Sequence, residues 1–115
     1  MKTMGNEPAR PETEWMVVFA EVPRERMCAY VNECLGELLA AKGYERNELL
    51  FTLETFVDCG GEINKLARRL YIHRNTATYR IGKLERQLGM PLKDPGILLR
   101  LKLAFLFRRI LSDVR

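Results

Sequence analysis

Apolar residues recur at helical spacing along most of this chain, and the pattern departs from that only near its start. Residues 15–22, WMVVFAEV, form a short β-prone run with no second such run to pair with. They predict a short N-terminal extended segment behind a loose arm over residues 1–14, where Pro8 and Pro11 stand among polar neighbours. From Arg24 the period becomes helical. Met27, Val31, Cys34 and Leu38, flanked by Cys28, Leu35 and Leu39, line one face of a helix that Gly43 stops. Asn47 is placed to cap a second helix with Leu49, Leu50, Leu53, Phe56 and Val57 on its apolar face, and Gly60–Gly61 ends it. A short third helix, about Glu62–Leu70, repeats Ile63, Leu66, Ala67 and Leu70 at i, i+3, i+4 and i+7. A fourth, about Arg74–Leu88, places Ala77, Ile81, Leu84 and Leu88 on one stripe and closes at Gly89 and Pro91. Asp94 caps and Pro95 opens a last helix reaching about Ser112. The expectation is an all-α fold: a small bundle of about five helices over 23–115, behind an arm and extended segment over 1–22.

Composition supports one domain. The chain has 115 residues, 47% of them apolar, which suffices for a modest core and excludes a disordered chain. The formal charge of +4 conceals a polarised layout. Residues 1–61 hold 6 Lys and Arg against 11 Asp and Glu, residues 62–90 hold 7 against 2, and residues 91–115 hold 6 against 2. A base-rich half attached to an acidic one points to a polyanion, nucleic acid or a membrane surface. The cysteines, Cys28, Cys34 and Cys59, form no C-x-x-C pair and have one histidine for company, so a zinc site has little to build on. Each falls on an apolar helical position, which predicts buried free thiols in a reducing cytosol. There is no apolar signal-peptide core at the start and no uncharged run near the roughly 18 residues a membrane span needs, so the expected location is cytoplasmic.

The stretch YIHRNTATYRIGKLERQLG, residues 71–89, carries the candidate chemistry. Its cations, Arg74, Arg80, Lys83 and Arg86, share it with one acid, Glu85. On a helical wheel the side opposite the apolar stripe carries Asn75, Tyr79, Gly82, Lys83 and Arg86, with Thr76 and Thr78 towards the flanks. Arg80 lies at the stripe's edge, where its stem can cross apolar surface while its head reaches out. A solvated face is the ordinary reading for helix cations, but these residue types suit a duplex. Asn can grip an adenine edge with two hydrogen bonds, Thr and Tyr offer hydroxyls, and Arg and Lys meet guanine or phosphate. They stand near a helix N-terminus, whose amides and dipole also favour phosphate. Gly82 costs about 1 kcal/mol against Ala in a helix interior, and either leaves room for a nucleic-acid backbone or is a tolerated imperfection.

Spacing adds the second clue. A short helix, a turn of about three residues and a longer cationic helix make a helix-turn-helix over about 62–88, in which the first helix would brace on phosphates while the second enters the major groove. Ala67 is small where the helices would cross, and Ile72 would plug the gap beneath the turn. NKLARRLYIHRNTATYRIGKLERQLG, preceded by LLFTLETFVDCGG and followed by LKDPGILLRLKLAFLF, resembles the C-terminal helix-turn-helix domain of PucR/CdaR-type bacterial transcription regulators. The resemblance covers roughly residues 47–110. It implies a Fis-like helix-turn-helix that binds double-stranded DNA sequence-specifically in transcriptional control, with the helix of 74–88 in the major groove. His73, Arg74, Asn75, Thr76, Thr78, Tyr79, Arg80, Lys83 and Arg86 are the expected DNA-binding residues. Ala77 and Thr78 depart from the family's usual Leu followed by a polar or basic residue. Members are typically longer, with a sensory region upstream, and residues 15–45 look like the tail of one.

Other readings explain less. No Gly-rich phosphate loop, Ser/His or Cys/His signature or metal cluster is visible, so neither enzyme activity nor a cofactor is expected. A protein-interaction or dimerisation module with a vestigial helix-turn-helix is the alternative. RNA is disfavoured because its narrow major groove does not admit such a helix. The last helix carries two apolar stripes. Leu99, Leu103, Leu106, Phe107, Ile110 and Leu111 can serve the core. Leu98, Leu101 and Phe105 ask for a second partner, either the helix of 24–41 or another subunit, and so mark a candidate homodimer surface. A membrane-surface helix would be basic and amphipathic too, but would leave residues 62–89 unexplained.

Overall fold

The computed structural model describes residues 11–113, so residues 1–10 of the expected arm lie outside the described residues. Six helices follow one another: α1 (Pro11–Phe19), α2 (Arg24–Leu39), α3 (Gly43–Asp58), α4 (Ile63–Leu70), α5 (Arg74–Leu88) and α6 (Pro95–Asp113). The all-α expectation holds, but its extended segment does not. Residues 15–19 are helical, and no strand occurs among the described residues. The physical reason is the missing partner. A lone strand leaves its N–H and C=O groups unpaired, whereas a helix pairs them within itself. Pro11 opens α1 at the position where a missing N–H is harmless. Phe19 then meets Phe107 of α6 edge-on, with ring centroids 5.5 Å apart.

The core follows the wheels closely in α2 to α5. Met27, Val31, Cys34, Leu35 and Leu38 of α2 are buried with Leu50, Leu53, Phe56 and Val57 of α3. Leu66 and Ala67 of α4 and Ala77, Ile81 and Leu84 of α5 complete that side, and Leu92 is buried in the loop before α6. Three local readings need correction. Cys28 is exposed, although Cys34 and Cys59 are buried. It lies about 100° round the helix from Met27, past the edge of the stripe. Asn47 does not cap α3, which begins a turn earlier at Gly43. That added turn is exposed and is favoured by Glu45 near the positive end of the helix dipole. Gly43, with φ at +58°, therefore opens α3 and does not stop α2, which is capped at Ala40.

α6 is the central helix, packed against α2 along most of its length and also against α3 and α1. Asp94 caps it as expected, its Oδ2 accepting from the Ile97 amide at 3.1 Å. Being wrapped on several sides, it buries both stripes within one chain. Leu101 and Phe105 are buried and Leu98 is half-buried against the core, so of the two partners expected for this stripe, the same chain or another subunit, the chain itself supplies one. Leu99, expected in the core, is 62% exposed. Polar contacts fix the helix in place. Lys102 reaches Asp58 at 2.8 Å and Arg109 reaches Glu54 at 3.2 Å on α3. Towards α2, the Arg100 Nε donates to the Cys34 sulfur at 3.1 Å, and the Tyr30 hydroxyl donates to the Arg100 carbonyl at 3.4 Å. Burial, then the neighbouring Cys34 sulfur, push the Tyr30 phenol above its ordinary value.

Candidate nucleic-acid interface

Local hydrogen bonds hold α4 and α5 at a sharp turn. At the end of α4 the Ile72 amide donates to the Ala67 carbonyl at 3.0 Å and the Tyr71 amide to the Arg68 carbonyl at 3.3 Å. This crossed pair terminates a helix and requires a left-handed residue between; Tyr71 supplies it, with φ 57° and ψ 45°. Ile72 is half-buried against the core, as a plug beneath the turn. His73 then caps α5, its Nδ1 accepting from the Asn75 amide at 2.9 Å. With Nδ1 accepting, the neutral ring carries its proton on Nε2. The cap also removes one of the amides that a phosphate could otherwise use. Gly89, left-handed at φ 68°, ends α5.

Eight of the nine expected residues are exposed: His73, Arg74, Asn75, Thr76, Thr78, Tyr79, Lys83 and Arg86. Arg80 is half-buried at the stripe's edge. Asn75, Tyr79, Gly82 and Arg86, at i, i+4, i+7 and i+11, run down the middle of the outer face. Thr76, Arg80 and Lys83 lie on the shoulder towards α3. With Tyr79 they line a crevice of about 320 Å³ over Leu49 and Leu84, with Glu48 and Thr52 of α3 opposite. The wheel did not show that α3 contributes a wall here, because that depends on how the two helices pack.

The electrostatics sharpen what composition suggested. Acids of α2 and α3 (Glu33, Glu54 and Asp58) pair with Arg100, Arg109 and Lys102 of α6. The cations of α5 have no such partner among the described residues. Even Glu85 is turned away, its Oε2 accepting from the Leu92 amide at 2.9 Å beyond the helix end. Within the helix-turn-helix the cations without an acidic partner among the described residues are thus those of α5 and of the last turn of α4, where Arg68 and Arg69 are exposed. Lys65, Arg68, Arg69 and Tyr71, none of them among the nine expected DNA-binding residues although the first helix was expected to brace on phosphates, share one surface cleft. No group of His, Cys, Asp and Glu among the described residues could hold a metal ion, and no helix there is long and apolar enough to cross a membrane.

Comparison with known proteins agrees with this geometry. Residues 49–107, from the first half of α3 to the middle of α6, match the model of the PucR C-terminal helix-turn-helix domain. The purine catabolism regulatory protein of Bacillus subtilis is 41% identical over 91 residues, which is 79% of this chain and 17% of that protein. An uncharacterized protein in the pkwA 5' region of Thermomonospora curvata is 31% identical over 106 residues, 92% of this chain and 57% of that one. An uncharacterized Mycobacterium tuberculosis protein is 40% identical over 47 residues, 41% of this chain and 11% of that protein. The chain thus spans only part of each of these relatives. No solved structure matches it. The matched segment contains α4, its turn and α5 entire, and on that ground the chain belongs to the family of PucR C-terminal helix-turn-helix domains.

Proposed function

We propose that this domain binds duplex DNA sequence-specifically, with α5 in the major groove, as a transcription regulator or the DNA-binding part of one. The observation that carries this is the outer face of α5. Asn75, Thr76 and Tyr79 stand exposed in its first turns, with Arg74, Lys83 and Arg86 around them and no acid paired to them among the described residues. Base-edge chemistry at the front and phosphate chemistry behind it is the division a groove-reading helix needs. Its place would be the compartment that holds the chromosome, which in the bacterial relatives is the cytoplasm.

Selection from a random duplex pool tests the proposal directly, since an enriched motif gives class and target together. Salt supplies a second test. Binding should weaken by about 0.9 log unit per log of salt for each phosphate neutralised. Weak binding with a flat salt response would instead favour a protein-interaction module. Two copies on one operator would read half-sites about 34 Å, or about 10 base pairs, apart, and the footprint length reports this. Any contact between such copies lies elsewhere than Leu101 and Phe105, which the chain buries itself.

Gly82 separates stability from binding. A Cβ there would meet only the Arg86 Nη1, at 3.6 Å, an ordinary contact. Gly82→Ala should therefore raise the stability of the free domain by about 1 kcal/mol in thermal melts. If DNA backbone approaches α5 at this point, the same variant should bind the selected site more weakly. Unchanged affinity would make Gly82 a mere imperfection in the helix.

A further inference from the structure

We infer that the crevice between α3 and α5 binds a small zwitterion with a flat apolar body, of which an aromatic amino acid is the simplest example, and that its occupant keeps DNA off the shoulder of α5. The site stands on its own observations; the exclusion of DNA rests on the proposal above. The first observation is a buried hydroxyl. Thr52 is 4% exposed and lines the crevice, yet its hydroxyl has no hydrogen-bond partner among the described residues. Thr55, three residues on and also buried, donates to the Phe51 carbonyl at 2.7 Å in the ordinary way for a helix. Taking a hydroxyl out of water without a partner is costly, so one left bordering a crevice points to a ligand that supplies the bond.

The second observation is how charge divides between the walls. On the α5 wall Arg80 and Lys83 have no acidic partner, and on the α3 wall Glu48 has no basic one, among the described residues. These opposed charges line one crevice without pairing across it, so each is left to meet a ligand group of opposite sign. The floor between them is apolar, made by Leu49 and Leu84, and Tyr79 adds an aromatic side chain. A carboxylate against Arg80 and Lys83, an ammonium against Glu48 and a flat body over the two leucines fit this division. A volume of about 320 Å³ stands at the lower end for small-molecule sites, which run from roughly 300 to 1,000 Å³. A DNA strand is a poor occupant, because its phosphates would meet Glu48 as well as the cations. Thr76, Tyr79, Arg80 and Lys83 belong both to the crevice and to the proposed DNA face, so ligand and duplex compete for them.

The test titrates the whole chain with L-tryptophan, with tryptamine (which lacks the carboxylate) and with indole-3-propionate (which lacks the ammonium), following backbone amide resonances. Tryptophan should give saturable shifts at Leu49, Thr52 and Leu84, and each truncated analogue should bind about fivefold more weakly. Thr52→Val should melt no lower than the parent, since no hydrogen bond is lost, yet bind tryptophan about tenfold more weakly. Glu48→Ala, a change at an exposed position, should bind tryptophan no better than the parent binds indole-3-propionate. Tryptophan at about ten times its dissociation constant should weaken binding of a duplex selected from a random pool about tenfold. Absence of saturable shifts at the crevice, or parent-like tryptophan binding by both variants, overturns the site. Saturable binding there that leaves duplex affinity unchanged overturns the exclusion and leaves the DNA-binding proposal standing. A parent chain that binds no duplex even without tryptophan overturns the exclusion and the DNA-binding proposal together, and the shifts then decide the site alone.

Discussion

Leu84→Ala should destabilise the domain by about 2–5 kcal/mol, whereas Lys83→Ala, its neighbour in sequence, should change stability by no more than about 0.5 kcal/mol. Leu84 is 1% exposed and belongs to the stripe that joins α5 to the core. Lys83 is exposed on the shoulder beside it. The crevice between α3 and α5 bears on the size of the loss. Leu84 lies in its lining, so the space left by truncation opens to water and does not persist as a sealed void. That places the expected cost in the lower half of the range. Even there, a shift in melting temperature on the order of 10 °C follows for a domain of this size. Thermal melts that rank the two variants the other way would mean that α5 is rotated about its axis, and the outer face assigned to DNA would rotate with it.

Local signals were legible at most positions where one residue decides an outcome, although Asn47 and Gly43 misplaced the start of α3. Gly60–Gly61 and Gly89 mark helix ends because left-handed backbone favours glycine, and Asp94–Pro95 marks the start of α6 because the carboxylate caps a free amide. The outer and inner faces of α5 followed from spacing alone, since one buried stripe fixes the rest of the wheel. What required three dimensions was hidden. The pattern could not say whether the second stripe of α6 meets the same chain or another subunit, and a helix wrapped by α2, α3 and α1 buries both stripes. Leu99 could not be told from its buried neighbours by hydropathy. The lone β-prone run became α1, because strand formation depends on a partner elsewhere in the chain. At the interface, the residue types and their exposure were readable. The withdrawal of Glu85 to the Leu92 amide, the α3 wall with Glu48, and the conformation of Tyr71 were not, because each depends on where another segment lies. Tyr71 stands where a glycine would have been the expected stop, and that mismatch was the one available hint.

Reading and gripping should separate along α5. Asn75→Ala should cost about 1–3 kcal/mol on the selected site and relax the choice of base at one position. Lys83→Ala should weaken binding to every sequence about equally and lower the salt slope by about one unit. The difference comes from position as well as chemistry. Asn75 is the second residue of α5, exposed at the end that would enter the groove most deeply, and its own amide is already bonded to His73. Its backbone is thereby pinned, which leaves its side-chain carboxamide, an acceptor and two donors, for a base edge. Lys83 lies about two turns further along, on the shoulder beside Arg80 and across the crevice from Glu48. There the helix would be leaving the groove and nearing a strand, and a flexible ammonium contributes charge without a fixed hydrogen-bonding pattern. Neither side chain is buried, so neither variant should disturb the fold enough to confuse the comparison. Affinities must be measured on selected and scrambled duplexes side by side. If Asn75→Ala lowers both equally, the front of α5 only grips phosphate, and sequence would have to be read by Thr76 and Tyr79 or through the shape of the duplex.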